Sequence, residues 1–181
     1  MNVSDSIILN NLQVEQKIRR IAFQIYESNS DEKEIIIAGI ANNGYLFAEK
    51  IHKVLSEISP LKIELCKVFI DKKNPIKPIT TSLSVAEYEN KSLVLIDDVL
   101  NSGTTLIYAV KHFLDVPLKR FKTAVLVNRN HKKYPVKADF KGISLSTSTK
   151  EHVVVEFKDD QTTGLFNLIF KLINLLKALI Q

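Results

Sequence analysis

The chain has 181 residues, which is enough for one good core and short for two domains. Its hydrophobic fraction of 45% and charged fraction of 25% are ordinary for a globular protein, and its single cysteine excludes an internal disulfide framework. The net charge of +5 and the pI near 9.2 fit either an anionic ligand or a solvated lysine-rich surface, so charge alone selects no partner.

The first half of the chain alternates between helical and strand patterns. The N-terminal MNVSDSIILNNLQ lacks the pattern of a signal peptide, and we expect a cytoplasmic protein. Apolar residues at helical spacing then predict a helix over 10–28. A β-branched run that ends in glycine predicts a buried parallel strand at 34–39. Helical spacing returns at 45–55, and an alternating pattern predicts a strand at 63–70.

The second half continues this alternation but contains two irregular stretches. Residues 71–91 have no clear period, and connections of that length are often lids or flexible hoods. Beyond them we predict a strand at 92–97, a helix at 104–116, a strand at 121–127, an irregular stretch at 128–150 and a strand at 153–157. Strands alternating with helices predict an α/β fold, a parallel or mixed sheet flanked by helices in a single domain over 1–181.

The C-terminal segment 164–181 reads GLFNLIFKLINLLKALIQ and is apolar over most of a helical circumference. We therefore predict an additional apolar helix there, which packs on the core or mediates homo-oligomer formation. Its lysines and asparagines argue against a transmembrane span, so no membrane association is expected.

The motif SLVLIDDVLNSGTTLIYAV carries the chemistry. A loop of small residues that leads into a helix presents backbone N–H groups and the positive helix end to an anion, and hydroxyl side chains add donors. The adjacent carboxylates of Asp97 and Asp98 instead accept hydrogen bonds from sugar hydroxyls and orient magnesium-bound water. Together they predict a site for a ribose 5-phosphate, formed by Asp97, Asp98, Val99, Leu100, Asn101, Ser102, Gly103, Thr104 and Thr105.

This motif resembles the phosphoribosyl-pyrophosphate (PRPP) motif of the type I phosphoribosyltransferases, in which an apolar strand precedes two acidic residues and a Thr/Ser-Gly-x-Thr loop. The resemblance implies that fold, Mg²⁺ as cofactor and PRPP or a nucleoside monophosphate as ligand, with a nucleobase as acceptor. The segment GIANNGYLFAEKI resembles the pyrophosphate loop of the family, formed here by Ala41, Asn42, Asn43 and Gly44.

The segment VNRNHKKYPVKADFKGISLSTSTKEHVVVEF is similar to part of the bifunctional pyrimidine-operon attenuators that are also uracil phosphoribosyltransferases. By comparison with the related hypoxanthine-guanine enzymes, the resemblance implies that Lys137 contacts the exocyclic oxygen of the base. It also implies that the backbone near His152 and Val153 holds the base edge, and that Asp159 lies near a second metal ion.

The sequence departs from the family in three places. Asn43 stands in the loop where the attenuator group has arginine, which would weaken transition-state stabilisation by ~2–4 kcal/mol unless Lys72, Lys73 or Lys77 replaces that charge. The second departure is VFID at 68–71, where the attenuators have Tyr-Arg-Asp. Phe69 and Ile70 are apolar and therefore lack the polar, cationic pair. Asn101 replaces the aspartate that serves as general base in purine-salvage enzymes, which argues against a purine-type mechanism.

Three functions remain open at this point. The first is an enzyme that transfers phosphoribosyl from PRPP to a nucleobase, with uracil favoured. The second is a nucleotide-sensing, RNA-binding regulator of pyrimidine genes, favoured by the pI and by the basic run Arg129-Asn130-His131-Lys132-Lys133. The third is a catalytically inactive PRPP-fold binding protein.

Overall fold

The computed structural model describes residues 8–129, 132–146, 151–159 and 166–174. Its helices are α1 (Asn11–Ser28), α2 (Asn43–Ile58), α3 (Val85–Tyr88) and α4 (Thr104–Phe113). Its strands are β1 (Glu34–Ile40), β2 (Lys62–Phe69), β3 (Thr80–Thr81), β4 (Ser92–Leu100), β5 (Arg120–Arg129), β6 (Phe140–Leu145), β7 (Glu151–Asp159) and β8 (Phe166–Asn174). The predicted elements at 10–28, 34–39, 45–55, 63–70, 92–97, 104–116, 121–127 and 153–157 are all present.

The main sheet has six strands in the order β3-β2-β1-β4-β5-β6. All neighbours are parallel except β3, which pairs antiparallel with the end of β2. The α/β architecture predicted from the sequence is therefore confirmed as a mixed, mostly parallel sheet flanked by helices.

Alternate residues of the central strands face two separate cores. Ile35 and Ile37 of β1 pack in the core that contains α1 and α2, whereas Ile36 and Ala38 pack in the core beneath α4. Burial on both faces explains why β1 is an unbroken apolar run. Among the described residues, no helix has the length and hydrophobicity needed to cross a membrane.

Both irregular stretches contain elements that the sequence analysis did not predict. The segment 71–91 includes β3 and the short helix α3, whose Tyr88 is buried. The segment 128–150 includes β6, which pairs in parallel with β5 at the edge of the sheet. Each element is short, and the partner that stabilises it is distant in sequence, so local periodicity could not reveal it.

The predicted C-terminal helix is wrong for the part of 164–181 that the structure describes. Phe166–Asn174 is strand β8, which pairs antiparallel with β7 along its whole length, from Asp159↔Phe166 to Glu151↔Asn174. At the start of this segment, from Phe166 onward, apolar residues also occur at every second position, a period that fits a strand. Pairing with a neighbouring strand decides between the two patterns, and tertiary context overrides helical spacing in such cases.

The β7-β8 hairpin forms a second sheet, separate from the main one. Val153 and Val155 of β7 are buried in the same core as α1 and α2. The hairpin therefore covers the same face of the main sheet as these two helices. This position brings β7 beside the N-terminus of α2, where the candidate site lies.

Candidate functional site

The site lies where the direction of strand addition reverses. The chain passes from β1 outward to β2 on one side and returns to β4 on the other, so neighbouring loops diverge from the carboxyl ends of β1 and β4. Such a switch point opens a crevice, and ligands of parallel α/β sheets bind there. The loop 41–44 follows β1 and the loop 101–103 follows β4.

Asp97 and Asp98 both lie within β4, which extends beyond the end predicted at Asp97 because pairing with β5 continues to Leu100. Both side chains are buried, with residue exposures of 4% and 9%. Burial, followed by the neighbouring carboxylate of Asp98, raises the pKa of Asp97, and Lys72 partly offsets that effect. The Nζ atom of Lys72 lies 3.6 Å from Oδ1 of Asp97. The acidic pair thus combines two acceptors with one half-exposed counter-ion.

The loop after β4 has the geometry of an anion site at the start of α4. Gly103 is the N-cap residue of α4 with φ of 80°, a conformation that favours glycine. The hydroxyl groups of Ser102 and Thr104 lie 2.9 Å apart, and the Thr104 N–H donates to Ser102 Oγ at 3.3 Å. Thr105 is half-buried in the first turn. Backbone donors and hydroxyl groups therefore converge on the positive end of a helix.

The remaining residues of the motif have different surroundings. Leu100 is buried in the α4 core and Val99 is half-buried, so both contribute packing in addition to backbone. Asn101 is exposed in the turn. The motif therefore supplies its polar groups from two places, the buried end of β4 and the first turn of α4.

Residues 133–136, which belong to the stretch predicted to be irregular, support this loop from outside. The N–H groups of Lys133 and Tyr134 donate to the Ser102 carbonyl at 2.8 and 3.2 Å. A Cβ atom at Gly103 would lie 2.6 Å from Val136 Cγ1. The loop is therefore held closely by residues about thirty positions away, and only the glycine of the motif hinted at such a close approach.

The loop 41–44 approaches the acidic pair from the β1 side. Gly44 is buried, and a Cβ atom there would lie 3.0 Å from Asp97 Oδ1. The Asn43 side-chain amide donates to Asp98 Oδ2 at 3.3 Å and to the Val155 carbonyl at 2.8 Å. The Ala41 N–H donates to the Val68 carbonyl, and Asn42 is exposed. The amide of Asn43 is thus turned toward the aspartates and β7.

A cleft of about 620 Å³ opens between this loop and the segment that follows β2. Its loop side is formed by Ala41 and Asn42, and its far side by residues 69–73, 77–78 and 80. Lys72, Lys73 and Lys77 all line it. The three lysines named in the sequence analysis as replacements for a loop cation are therefore placed around one cavity.

The predicted base-binding residues are less closely associated with the acidic pair. Lys137 is exposed, and its carbonyl accepts a hydrogen bond from Thr123 Oγ1 at 3.1 Å. Burial first, then the nearby Lys141 and Lys137, lower the pKa of Lys132, so these three lysines form a basic patch. Within the described residues, no contact joins Lys137 to Asp97 or Asp98.

The other base-side and metal predictions fall on β7. Val153 is buried in the core with 9% exposure, and its backbone belongs to the hairpin beside α2. The side chains of His152 and Asp159 lie outside the described residues, although both positions belong to β7. Their assigned roles stay predictions.

The carboxylates of the site can be compared with the ligands that a metal ion requires. In the described part of the chain, no group of three or more His, Cys, Asp or Glu side chains could hold a metal ion. Mg²⁺ typically binds one or two carboxylates together with substrate phosphates and water. The Asp97–Asp98 pair fits such a substrate-borne ion and does not constitute a complete protein site for one.

Comparisons with known proteins agree with this geometry. The family model described as Phosphoribosyl transferase domain matches residues 4–162. A protein named Bifunctional protein PyrR from Streptococcus pneumoniae is 32% identical over 162 residues, covering 85% of this chain and 92% of its own length. The protein of the same name from Streptococcus equi subsp. zooepidemicus is 30% identical over 159 residues, covering 85% and 91%.

Solved structures with the same fold come from a different branch. A hypoxanthine-guanine phosphoribosyltransferase from Bacillus anthracis has a TM-score of 0.71 at 15% identity, covering 94% of this chain and 99% of that one. The hypoxanthine phosphoribosyltransferase of Trypanosoma cruzi has a TM-score of 0.74 at 13% identity, covering 93% and 97%. At these identities the likeness establishes the fold and carries no information about the base.

Proposed function

The chain belongs to the phosphoribosyl transferase domain family, and from that premise we propose that it binds PRPP and transfers the phosphoribosyl group to a nucleobase with release of pyrophosphate. The observation that carries this proposal is the buried Asp97–Asp98 pair, situated directly before the loop that begins α4. Acceptors for vicinal hydroxyls thus precede donors for a phosphate along the chain, and a ribose 5-phosphate offers both kinds of group.

The residues divide the substrate between them. Asp97 and Asp98 would accept hydrogen bonds from the ribose hydroxyls and so fix the position of C1′. The loop from Ser102 to Thr105 would hold the 5′-phosphate through its N–H and hydroxyl groups. The backbone near Val153 would hold the base edge, with Lys137 at its exocyclic oxygen. Mg²⁺ bound with the pyrophosphate would supply further neutralisation of its charge.

Catalysis would follow mainly from orientation. Holding C1′ against a base nitrogen converts a bimolecular encounter into a unimolecular step. The two carboxylates would also stabilise positive charge that develops on the ribose ring as the bond to pyrophosphate breaks. The base nitrogen loses its proton to solvent once the new bond has formed.

Uracil is the preferred base in this proposal. The relatives that are 30–32% identical are named Bifunctional protein PyrR, and the sequence resemblance is to uracil-using attenuators. Asn101 is exposed in the motif turn, and an amide cannot act as the general base that purine-salvage enzymes use there. The purine enzymes of known structure are 13–15% identical to this chain, and that likeness shows the fold alone.

A panel of nucleobases tests the proposal. Purified protein with PRPP, Mg²⁺ and each base in turn should release pyrophosphate, with uracil giving the highest kcat/KM. The double variant Asp97→Asn/Asp98→Asn should lose PRPP binding while keeping the wild-type circular dichroism spectrum. No turnover with any base would exclude the enzyme, and unchanged PRPP affinity in the double variant would show that the ligand binds elsewhere.

An RNA-binding regulator is the second candidate, favoured by the basic patch of Lys132, Lys137 and Lys141. The basic run at 129–133 supports this function less than its sequence alone suggests. Arg129 is only 3% exposed, and Asn130 and His131 lie outside the described residues. Replacement of the three patch lysines by glutamine should reduce RNA affinity and its salt dependence. Wild-type protein that shows no salt-sensitive RNA binding would exclude this function.

A further inference from the structure

The leaving group poses an electrostatic problem that the loop 41–44 does not solve. As the C1′–O bond breaks, its electron pair departs with pyrophosphate, and the negative charge on that oxygen increases. The loop offers only Ala41, Asn42, Asn43 and Gly44, none of them cationic. The side-chain amide of Asn43, which lies beside the acidic pair, already donates to Asp98 and to the Val155 carbonyl.

Positive charge reaches the same cleft from the opposite wall. Lys72, Lys73 and Lys77 line the cavity of about 620 Å³ that Ala41 and Asn42 close on the other side. A ligand that extended from the acidic pair over the loop 41–44 would therefore meet these ammonium groups. The three lysines differ in what already engages them.

Lys77 is engaged by a carboxylate within its own segment. Its Nζ atom lies 2.8 Å from Asp71 Oδ2, and this contact raises the pKa of Lys77 and lowers that of Asp71. The described contacts of Lys73 in this segment involve its backbone N–H, which donates to Asp71 Oδ1. Neither lysine is directed at the reaction centre by a contact of its side chain.

Lys72 is the lysine that reaches the reaction centre. Its Nζ atom lies 3.6 Å from Asp97 Oδ1, at the carboxylate that holds the ribose in the proposed function. At that separation the pair is an ion pair without a short hydrogen bond, and the Lys72 side chain is 46% exposed. Its ammonium group can therefore move within the cleft at little cost.

We propose that Lys72 is the catalytic cation for the leaving pyrophosphate, taking the place of a cationic residue in the loop 41–44. This inference rests on the proposed function. In the free protein Lys72 is the counter-ion of Asp97. When ribose hydroxyls donate to Asp97, the ammonium group shifts to the pyrophosphate and neutralises the charge that develops on its departing oxygen. The transferred phosphoribosyl group keeps its 5′-phosphate at the start of α4.

The test compares two ligands, one that is the leaving group and one that contains the phosphoribosyl group without it. Titration calorimetry would measure Mg²⁺-pyrophosphate and uridine 5′-monophosphate on the full chain, in wild type, Lys72→Gln, Lys72→Arg and Lys73→Gln. Lys72→Gln should weaken pyrophosphate binding about 10-fold or more and lower kcat by roughly 10²-fold, as for loss of one charged transition-state donor. Affinity for the monophosphate, which lacks the leaving group, should change by less than about 3-fold.

Two further variants make the assignment specific. Lys72→Arg should restore most of the pyrophosphate affinity because it keeps the charge, and Lys73→Gln should have a clearly smaller effect than Lys72→Gln. Lys53→Gln, on the exposed face of α2, controls for the loss of one positive charge at a distance. Equal losses in Lys72→Gln and Lys73→Gln, or equal weakening of both ligands by Lys72→Gln, would overturn the proposal.

The outcomes also separate this inference from the proposed function. Wild-type protein that turns over PRPP while Lys72→Gln keeps full pyrophosphate affinity would overturn the role of Lys72 alone. Wild-type protein that binds neither PRPP nor the monophosphate would overturn both.

Discussion

The side-chain amide of Asn43 lies 3.3 Å from Asp98 Oδ2 and donates to the Val155 carbonyl at 2.8 Å. One neutral side chain thus joins the N-terminus of α2, the acidic end of β4 and the β7-β8 hairpin. Asn43 occupies the loop position where the attenuator group has arginine. In this chain the position has a structural contact with the proposed ribose site, and the lysines of the cleft lie on its opposite wall.

The first prediction concerns this amide. Asn43→Ala removes two hydrogen bonds and should lower the free energy of unfolding by about 1–3 kcal/mol. Asn43→Asp also places a carboxylate beside Asp98, so it should be less stable than Asn43→Ala at pH 8 and should approach it near pH 4. Urea unfolding at both pH values measures the difference. Asn74→Asp, at an exposed position, is the control, and an Asn43→Asp variant as stable as wild type at pH 8 would contradict the assignment.

The second prediction concerns the pH dependence of stability. Burial and the carboxylate of Asp98 raise the pKa of Asp97 above its ordinary value of 3.8. The unfolded chain therefore loses this proton at lower pH than the folded protein does. Ionisation of Asp97 consequently reduces stability as pH rises from about 4 through the raised pKa, by about 1.4 kcal/mol for each pKa unit of elevation.

The Asp97→Asn substitution removes this loss of stability at high pH, because the amide does not ionise. The variant should unfold at a higher temperature than wild type at pH 8, and the difference should shrink toward zero near pH 4. Thermal unfolding monitored by circular dichroism across that range provides the measurement. Asp115→Asn changes an exposed carboxylate and should show no comparable trend. If the gain in Tm for Asp97→Asn were the same at pH 4 and pH 8, the raised pKa would be refuted.

The third prediction concerns Gly103. Alanine there meets both a positive φ of 80° and Val136 Cγ1 at 2.6 Å, and we expect Gly103→Ala to cost about 2–4 kcal/mol of stability. Val136→Ala removes the overlap without changing φ. Gly103→Ala should therefore lower the free energy of unfolding less in the Val136→Ala background than in wild type. A double-mutant cycle from urea unfolding measures the coupling. Strictly additive effects would show that Val136 does not restrict the loop.

The fourth prediction concerns the C-terminal strand. Truncation after Thr163 removes β8, which pairs with every residue of β7 from Glu151 to Asp159. Without that partner the amide protons of β7 should exchange rapidly, and the protein should be less stable, because Val153 and Val155 belong to the core. Hydrogen exchange and size-exclusion chromatography would be compared with the full chain. Unchanged protection of β7 with a reduced oligomer size would instead identify the segment as a subunit interface.

The amino-acid sequence by itself determined the parts of this protein whose causes are local. A continuous β-branched run predicted β1, and apolar runs predicted β4 and β5, because strands buried on both faces are mostly apolar. The PRPP motif was readable because its acceptors, its glycine and its hydroxyl donors occupy consecutive residues of one strand, one turn and one helix. The resemblance to the type I phosphoribosyltransferases follows from that contiguity and requires no tertiary contact.

Tertiary structure alone decided everything that joins residues distant in the chain. The segment 166–174 satisfies both a helical and a strand period, and pairing with β7 selected the strand. The contact of Lys72 with Asp97 and that of Asn43 with Val155 each cross many intervening residues, so no spacing in the sequence could indicate them. A local pattern records which conformations a segment can adopt. The free energy that selects one of them, and places its side chains, comes from partners that only the folded chain brings into contact.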